Sequence, residues 1–460
     1  MKRGLVIASL LAACGTTVKV EPPPGQILLY IDTDAPLGRA GGARAPKTEP
    51  AALFDRLRIE VFAPDATTPC DGCVNEFAID ADAMRALGVS IGVAPTPDTS
   101  GFRAHVRMFL AAHEKAGEPD PDGTIDSTIA LPAVEATGTK IVTLHLRTDD
   151  VGARKGSLDA PIDPDDGPPD QSEVGTWPRA ARAMCAGQPG PGEVCVPGGA
   201  FWMGGRRGPW SFLPGLDTLP PRLVVLAPFY LDAHEVTVAD FRTNLPGGAI
   251  LHWSGKNDGT SIDDYCDFTT TTDRKDDFPA NCEPWTTAKA YCQKLGKDLP
   301  TEAQMEYVSS GLDGTTFVWG EDPPACEDAV FSRVGFGIFS SAVTYCKTAA
   351  PPGGPQAIGS GARDRLDLPG GSVIDLVGNV TEWAQDQWNL HNEPCWRRAG
   401  VYTDPVCETP STAAGMNKLR AVHGGDWLVT GGQLAYTVRI SALGIGGYFS
   451  PEVGFRCMRK

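Results

Sequence analysis

Positive charge is scarce in this 460-residue chain: 40 Lys and Arg stand against 57 Asp and Glu, for a formal net charge of −17. An acidic surface repels phosphate backbones, so nucleic acid is excluded as a partner. Histidine is scarcer still. There are seven, with no HExxH pair, which removes the helical zinc-protease site. Neither a phosphate-cradling Gly loop nor a nucleophile elbow is present. No apolar run reaches the roughly 20 residues that a membrane-spanning helix needs. Gly (53) and Pro (40) make up roughly a fifth of the chain, under the roughly 25–30% that marks low-complexity disorder. With ten Trp and 42% hydrophobic residues, the composition is that of a loop-rich globular protein, long enough for two or three domains.

The first residues are informative. Lys2 and Arg3 precede a short apolar run, Leu5 to Ala13, and then Cys14-Gly15. This is the charged, apolar and small-residue order of an export signal. Leu11-Ala12-Ala13-Cys14 looks like a bacterial lipobox, which implies cleavage before Cys14 and a lipid on its sulfur. The expectation is a signal and anchor over 1–14 and a bacterial envelope protein, lipid-anchored at the periplasmic or outer-membrane surface.

Setting Cys14 aside leaves twelve of the thirteen cysteines, an even number in an exported chain, and this suggests disulfides. Sequence proximity suggests Cys70–Cys73, Cys185–Cys195, Cys266–Cys282, Cys326–Cys346 and Cys395–Cys407. Cys292 and Cys457 remain, as a long-range staple. No second CxxC accompanies Cys70-x-x-Cys73 to make a zinc site.

Residues 15–148 show strand patterns. Leu57-Arg58-Ile59-Glu60-Val61, Ala104-His105-Val106-Arg107-Met108 and Ile141-Val142-Thr143-Leu144-His145-Leu146 alternate in character between Gly, Pro and Asp turns. Period-two alternation argues a half-buried antiparallel sheet, read as a small all-β sandwich. His105 and His113 are read as strand residues. Glu118-x-Asp120-x-Asp122-Gly123 has calcium-loop spacing, but Ile129 stands where the bidentate Glu belongs, so it reads as an acidic hairpin loop. Residues 149–183, rich in Asp, Pro and Gly, read as an interdomain linker.

From about residue 184 the texture changes. Val196-Pro197-Gly198-Gly199-Ala200-Phe201-Trp202-Met203-Gly204 is followed by His234-Glu235-Val236-Thr237, where Thr237 and Asp240 mark a helix start. Ala288, Cys292 and Leu295 fall at helical spacing, and Gly296 ends that helix. Leu299-Pro300-Thr301-Glu302-Ala303-Gln304 opens another helix with a capping box. Val318-Trp319-Gly320, Gly378-Asn379-Val380-Thr381-Glu382-Trp383, His423-Gly424-Gly425-Asp426-Trp427 and Gly454-Phe455-Arg456-Cys457 complete the series.

This ordered series resembles the formylglycine-generating enzyme, or sulfatase-modifying factor, family. That family's patterns are PGGxFxMG, EVT, LPTEAEWE, WG, GNVWEW, RGGSW and a final GFRC. Met305, Thr381 and His423 depart from it. The resemblance implies, for 184–460, a loop-rich, disulfide-stapled α+β variant of the C-type-lectin fold. It also implies the Cys292–Cys457 pairing. The family oxidises a substrate cysteine with molecular oxygen through copper(I) on two cysteines, and thiolates suit that soft ion. The matching positions are Val429 and Leu434, and no cysteine lies between Trp427 and Cys457. No catalytic residue and no copper are therefore expected. The related iron-dependent sulfur-transfer branch needs a helical, His-bearing upstream domain, which this chain lacks.

The family's calcium site maps onto Asp375, Glu382 and the carbonyls of Gly378 and Val380, so calcium is the expected cofactor. Asp426, Trp427 and Arg439 map near the family's substrate groove, with Trp427 read as a ligand-stacking platform or core. The resulting expectation is a non-catalytic binding or scaffold module whose partner is an envelope or cell-surface protein, peptide or glycan. The alternatives are an enzyme of unrecognised type in the same groove and a purely structural envelope protein.

Overall fold

The computed structural model describes residues 24–42, 46–204, 220–245, 265–272, 275–333, 346, 353–390, 392–429, 440–443 and 450–460. Cys14, Leu434 and Arg439 lie outside them. The chain divides into two compact units, residues 1–180 with 399–401, and residues 181–398 with 402–460.

The strands of the first unit are β1 (Gln26–Thr33), β2 (Arg56–Phe62), β3 (Val74–Ala78), β4 (Val89–Val93), β5 (Arg103–Phe109), β6 (Glu114–Lys115), β7 (Glu118–Pro119), β8 (Ile125–Ala130), β9 (Thr139–Leu146), β10 (Arg154–Lys155) and β11 (Asp165–Asp166). The helix α1 (Ala81–Leu87) is capped by Asp80, whose side chain accepts from Ala83 N. The strands make a four-stranded sheet, β11-β9-β1-β4, and a five-stranded sheet, β10-β8-β5-β2-β3, with β6 and β7 as a separate hairpin. Ile27, Leu29 and Ile31 on one sheet and Leu57, Ile59, Ala104, Val106 and Met108 on the other are all buried. Thr33 Oγ1 reaches Met108 Sδ across the two sheets at 3.9 Å. The alternation read from the sequence thus builds two apolar inner faces.

Pairing is not wholly antiparallel. β1 and β9 run parallel over eight residues, and β10 joins β8 in parallel. The outer face of the five-stranded sheet carries a charged net in which His105 sits between Glu60 (3.2 Å) and Asp126 (2.8 Å), with Arg107 on Glu60 at 2.9 Å. Burial alone would raise the Glu60 carboxyl, but the His105 hydrogen bond and the Arg107 charge hold it at about 2.

The linker expectation for 149–183 is corrected. This segment supplies β10 and β11 to the two sheets and buries Val151, Val174, Trp177 and Ala180. Its few apolar residues are enough because the backbone hydrogen bonds are made to sheets already present, so the segment needs no core of its own. The first unit therefore runs through residue 180 rather than ending at 148.

The second unit contains β12 (Glu193–Val196), β13 (Gly199–Met203), β14 (Arg222–Leu226), β15 (Phe229–Asp232), β16 (Arg365–Leu368), β17 (Gly371–Ile374), β18 (Thr381–Gln387), β19 (Tyr402–Thr403), β20 (Leu419–His423), β21 (Ile440–Leu443), β22 (Val453–Gly454) and β23 (Met458–Arg459). Its helices are α2 (Val238–Thr243), α3 (Trp285–Lys294) and α4 (Glu302–Ser309). The sheets are small: β12-β15-β23, β13-β14-β19, β16-β17 and β21-β20-β18-β22. Short sheets and helices joined by long irregular segments make this an α+β fold.

Local signals hold at the helix starts. Thr237 Oγ1 accepts from Asp240 N, and Thr301 with Gln304 forms a reciprocal capping box at 3.1 and 2.8 Å. Every residue of α4 is buried, including Glu302 and Glu306. Six disulfides are present: Cys70–Cys73, Cys185–Cys195, Cys266–Cys282, Cys292–Cys457, Cys326–Cys346 and Cys395–Cys407. Among the described residues no helix is long and apolar enough to cross a membrane.

Candidate functional site

The turn between β17 and β18 holds two non-glycine residues in the left-handed region, Asp375 (φ 53°) and Asn379 (φ 68°). Asp and Asn tolerate that region better than most residues. Between them, a Cβ on Gly378 would lie 2.9 Å from Val330 N, so only glycine fits there. This backbone gathers four buried carboxyls, those of Glu235, Asp364, Asp375 and Glu382, around the fully buried Arg456. Arg456 Nε donates to both Glu382 oxygens (2.9 and 2.7 Å), and its Nη2 donates to Glu382 Oε1 (2.6 Å) and to the carbonyls of Ile374 and Asp375. Glu235 accepts from Asn379 Nδ2 and Val380 N. Asp364 accepts from the amides of Leu376 and Val377, and Asp375 Oδ2 accepts from Gly359 N at 2.6 Å.

Four carboxyls share one guanidinium, and their acidities reflect that imbalance. Burial, then the charges of Asp375 and Glu382, push Glu235 well up. Burial pushes Asp364 up to about 7 and Asp375 up to about 6. Burial raises Glu382 as well, against the opposing pull of Arg456. An all-oxygen donor set with surplus negative charge fits a hard divalent cation. The family's calcium ligands map onto Asp375, Glu382 and the Gly378 and Val380 carbonyls, and of these Glu382 already has both oxygens on the Arg456 guanidinium.

Further along, Trp427 is fully buried, clustered with Val330 and Val380, with Tyr265 at 4.8 Å and its Nε1 donating to Pro451 O. Asp426 is buried too, and its Oδ1 accepts from the amides of Leu428 (2.8 Å) and Val429 (3.1 Å). Val429 is half-buried against the main core, and its carbonyl accepts from Ser332 N and Oγ. Of the two readings of Trp427, ligand-stacking platform or core, the burial agrees with the core: a ring with no exposed face cannot stack on a ligand. Its indole packs in a cluster with Val330 and Val380, with Tyr265 and Leu428 against it.

A cavity of about 210 Å³ opens elsewhere, lined by Trp285, Lys289, Gln385, Gln387, Val406, Glu408 and Arg420. α3 presents Trp285 and Lys289, β18 the two glutamines, and β20 Arg420. The Arg420 guanidinium lies 3.7 Å over the Trp285 ring centroid, and its Nη1 donates to the Gln385 carbonyl at 3.0 Å. Gln387, oriented so that its amide donates to Leu419 O, accepts from Arg420 Nη2 at 3.1 Å. Among the described residues no carboxylate is in ion-pair contact with Arg420, and burial lowers its pKa against the opposing charge of Asp386.

Residues 180–460 match the model of the sulfatase-modifying factor enzyme 1-like domain. The chain belongs to that family. It is 26% identical over 249 residues to the formylglycine-generating enzyme of Bos taurus, covering 46% of this chain and 63% of the relative. It is 26% identical over 328 residues to the formylglycine-generating enzyme of Streptomyces coelicolor, covering 60% of this chain and 95% of that one. The match thus spans about three fifths of the bovine relative's length. Among solved structures, PvdO from Pseudomonas aeruginosa is similar at 23% identity and a TM-score of 0.39, over 58% of this chain and 94% of that one.

Within the sulfatase-modifying-factor-like domain, the structure places Asp375, Gly378 and Val380 in the turn between β17 and β18 and Glu382 at the start of β18, with Asp426 and Trp427 buried and Val429 half-buried in another stretch. Leu434 and Arg439 fall outside the described residues. Sequence reasoning missed Glu235, Asp364 and Arg456, although Glu235 and Arg456 stand inside quoted motifs. It also missed the Trp285–Arg420 cavity, whose residues come from three separate elements. Glu283 was missed as well. It is buried with neither carboxyl oxygen partnered, and burial pushes its pKa well up.

The buried Asp426 carries a pH prediction. Burial, then the Glu452 charge, raise it to about 7. Its folded value is above its unfolded one, so its stabilising contribution is complete below about pH 4 and is lost as pH rises through about 7. Asp426→Asn keeps the Oδ1 acceptor and removes the charge. It should be more stable than the parent at about pH 8, on the order of 4 kcal/mol, with little difference at about pH 4. Urea midpoints at the two pH values check this, and an equal effect at both would show that the Asp426 pKa is the same in the folded and the unfolded protein.

Proposed function

We propose that this chain is a bacterial envelope lipoprotein whose sulfatase-modifying-factor-like domain binds an acidic glycan rather than oxidising a cysteine. Arg420 carries the binding reading. It is a part-buried cation, fixed flat on Trp285 by two oxygen acceptors, with no carboxylate paired to it among the described residues. A planar guanidinium beside two side-chain amides, Lys289 and Glu408 suits a ligand with carboxylate and hydroxyl groups. A redox step through copper(I) needs thiolate ligands. Val429 offers an aliphatic side chain at the first of the family's two cysteine positions, and Leu434 is the residue at the second. This supports reading the domain as non-catalytic, unlike the formylglycine-generating enzymes among its relatives.

The test is binding of carboxylated against neutral oligosaccharides to the membrane-anchored chain and to a Cys14→Ser form. Cys14→Ser should leave the membrane fraction yet still bind. Arg420→Ala should weaken binding of the carboxylated ligand at least about tenfold, the scale of one charge-assisted hydrogen bond. Equal binding of the neutral ligand, or an unaffected Arg420→Ala, would sink the glycan reading, and membrane retention of Cys14→Ser would sink the anchor.

Calcium belongs to this reading as a structural ion at Asp375 and Glu382, supplying charge to a cluster short of cations. Calcium at about 100 times its Kd should stabilise the protein by about 2.7 kcal/mol. A chelator should remove that gain, seen as a fall in Tm, and Asp375→Asn should lose the response. An unchanged Tm in calcium and in chelator would refute the site.

A further inference from the structure

In the first unit, Asp32 on β1 and His145 on β9 stand side by side in the parallel register, on the face of the four-stranded sheet opposite its core. His145 Nδ1 lies 2.9 Å from Asp32 Oδ2. On the other side of the ring, Nε2 lies 3.2 Å from Asp165 Oδ2 on β11. Glu173 closes the group from the segment after β11. One ligand atom each from Asp32, His145 and Glu173 can be chosen so that all lie within 4.8 Å of one another. Asp32 is 2% exposed, and its remaining oxygen, Oδ1, is sealed from solvent with no hydrogen-bond partner. A buried carboxylate oxygen without a donor is costly, and such a group calls for an explanation.

We propose that Asp32, His145 and Glu173 form a binding site for a zinc-class divalent cation. Imidazole nitrogen and carboxylate oxygen are both zinc donors, and three of them leave a fourth position for water. Asp165 on the far ring nitrogen supplies the outer carboxylate that orients a metal-bound histidine, fixing the proton on Nε2 and the lone pair on Nδ1. In the structure the notch holds a different cation. Arg147 pairs with Glu173, and its Nη2 approaches His145 Nδ1 at 3.4 Å. Its side chain is more than a third exposed, so it swings into solvent when a metal enters. The ion would clip three stretches of chain together: β1, β9 and the 165–177 segment, which is otherwise held by β11, Val174 and Trp177. This site is independent of the sulfatase-modifying-factor-like domain and of its oxygen-only calcium loop.

The experiment titrates zinc, and cobalt(II) as its spectroscopic substitute, into the metal-free full chain with excess calcium present. The expected result is one zinc per chain and a cobalt absorption band in the visible range. Both should weaken at least tenfold in His145→Gln and in Glu173→Gln, whose side chains are partly exposed and replaceable without unfolding. Arg147→Gln should bind more tightly than the parent, because the competing cation is gone, an outcome that a merely structural ion pair would not give. Absence of stoichiometric binding overturns the proposal, as does zinc affinity unchanged in His145→Gln or lowered in Arg147→Gln.

Discussion

Removing the Cys292–Cys457 bridge with a Cys292→Ala/Cys457→Ala pair is expected to cost about 5 kcal/mol, the loop-closure entropy of a crosslink spanning 165 residues. Domains of this size are stable by about 5–15 kcal/mol in total, so the variant should sit close to its unfolding threshold. The local Cys70–Cys73 bridge spans three residues, and by the same relation its removal should cost only about 1–2 kcal/mol. Both sulfurs of the long bridge are fully buried, and alanine leaves an apolar gap there rather than an unsatisfied hydroxyl. Guanidinium midpoints of the two double variants, with the parent alongside, check the ratio. Equal shifts would mean that the denatured chain is already compact around 292 and 457, and that loop entropy does not govern this staple.

That long bridge shows what the sequence made legible. Short-range pairing of ten cysteines leaves Cys292 and Cys457 as a remainder, and the motif order around them points to one domain. Caps were readable for the same reason: Thr237 and Thr301 act on amides three residues away, so their signal is local. The edge of the first unit was not readable. Asp165, Val174 and Trp177 acquire structural meaning only against β9 and the sheet core, and their own neighbours in sequence read as Asp- and Pro-rich linker. Trp427 stayed open between platform and core for a related reason. A Trp after a Gly-Gly pair can face a groove or a core, and only the placement of Val330, Val380 and Tyr265 around it decides. The Arg420 cavity is the extreme case, since α3, β18 and β20 each supply ordinary polar residues whose neighbours are set by tertiary packing alone.

Arg456→Met is expected to be the most damaging single substitution in the molecule. Methionine is near arginine in length and fills the space, so the loss measured is chiefly charge and hydrogen bonding. Removing one partner of a buried ion pair leaves an uncompensated charge and typically costs about 3–5 kcal/mol, whereas replacing both by apolar or neutral groups costs far less. Here the cost should lie at the upper end, because Arg456 also serves the carbonyls of Ile374 and Asp375 and stands among three further buried carboxyls. Its neighbours in sequence, Phe455 and Cys457, are fully buried as well, so the strain falls on the segment that the long disulfide anchors. The double variant Arg456→Met/Glu382→Gln should recover at least about 1–2 kcal/mol of the loss, since neutral Gln replaces the orphaned carboxylate. Urea denaturation of the two single variants and the double, in excess calcium, closes the cycle. A strictly additive result would mean that Arg456 and Glu382 act separately, and that the guanidinium matters for its carbonyl contacts rather than for holding the acidic cluster together.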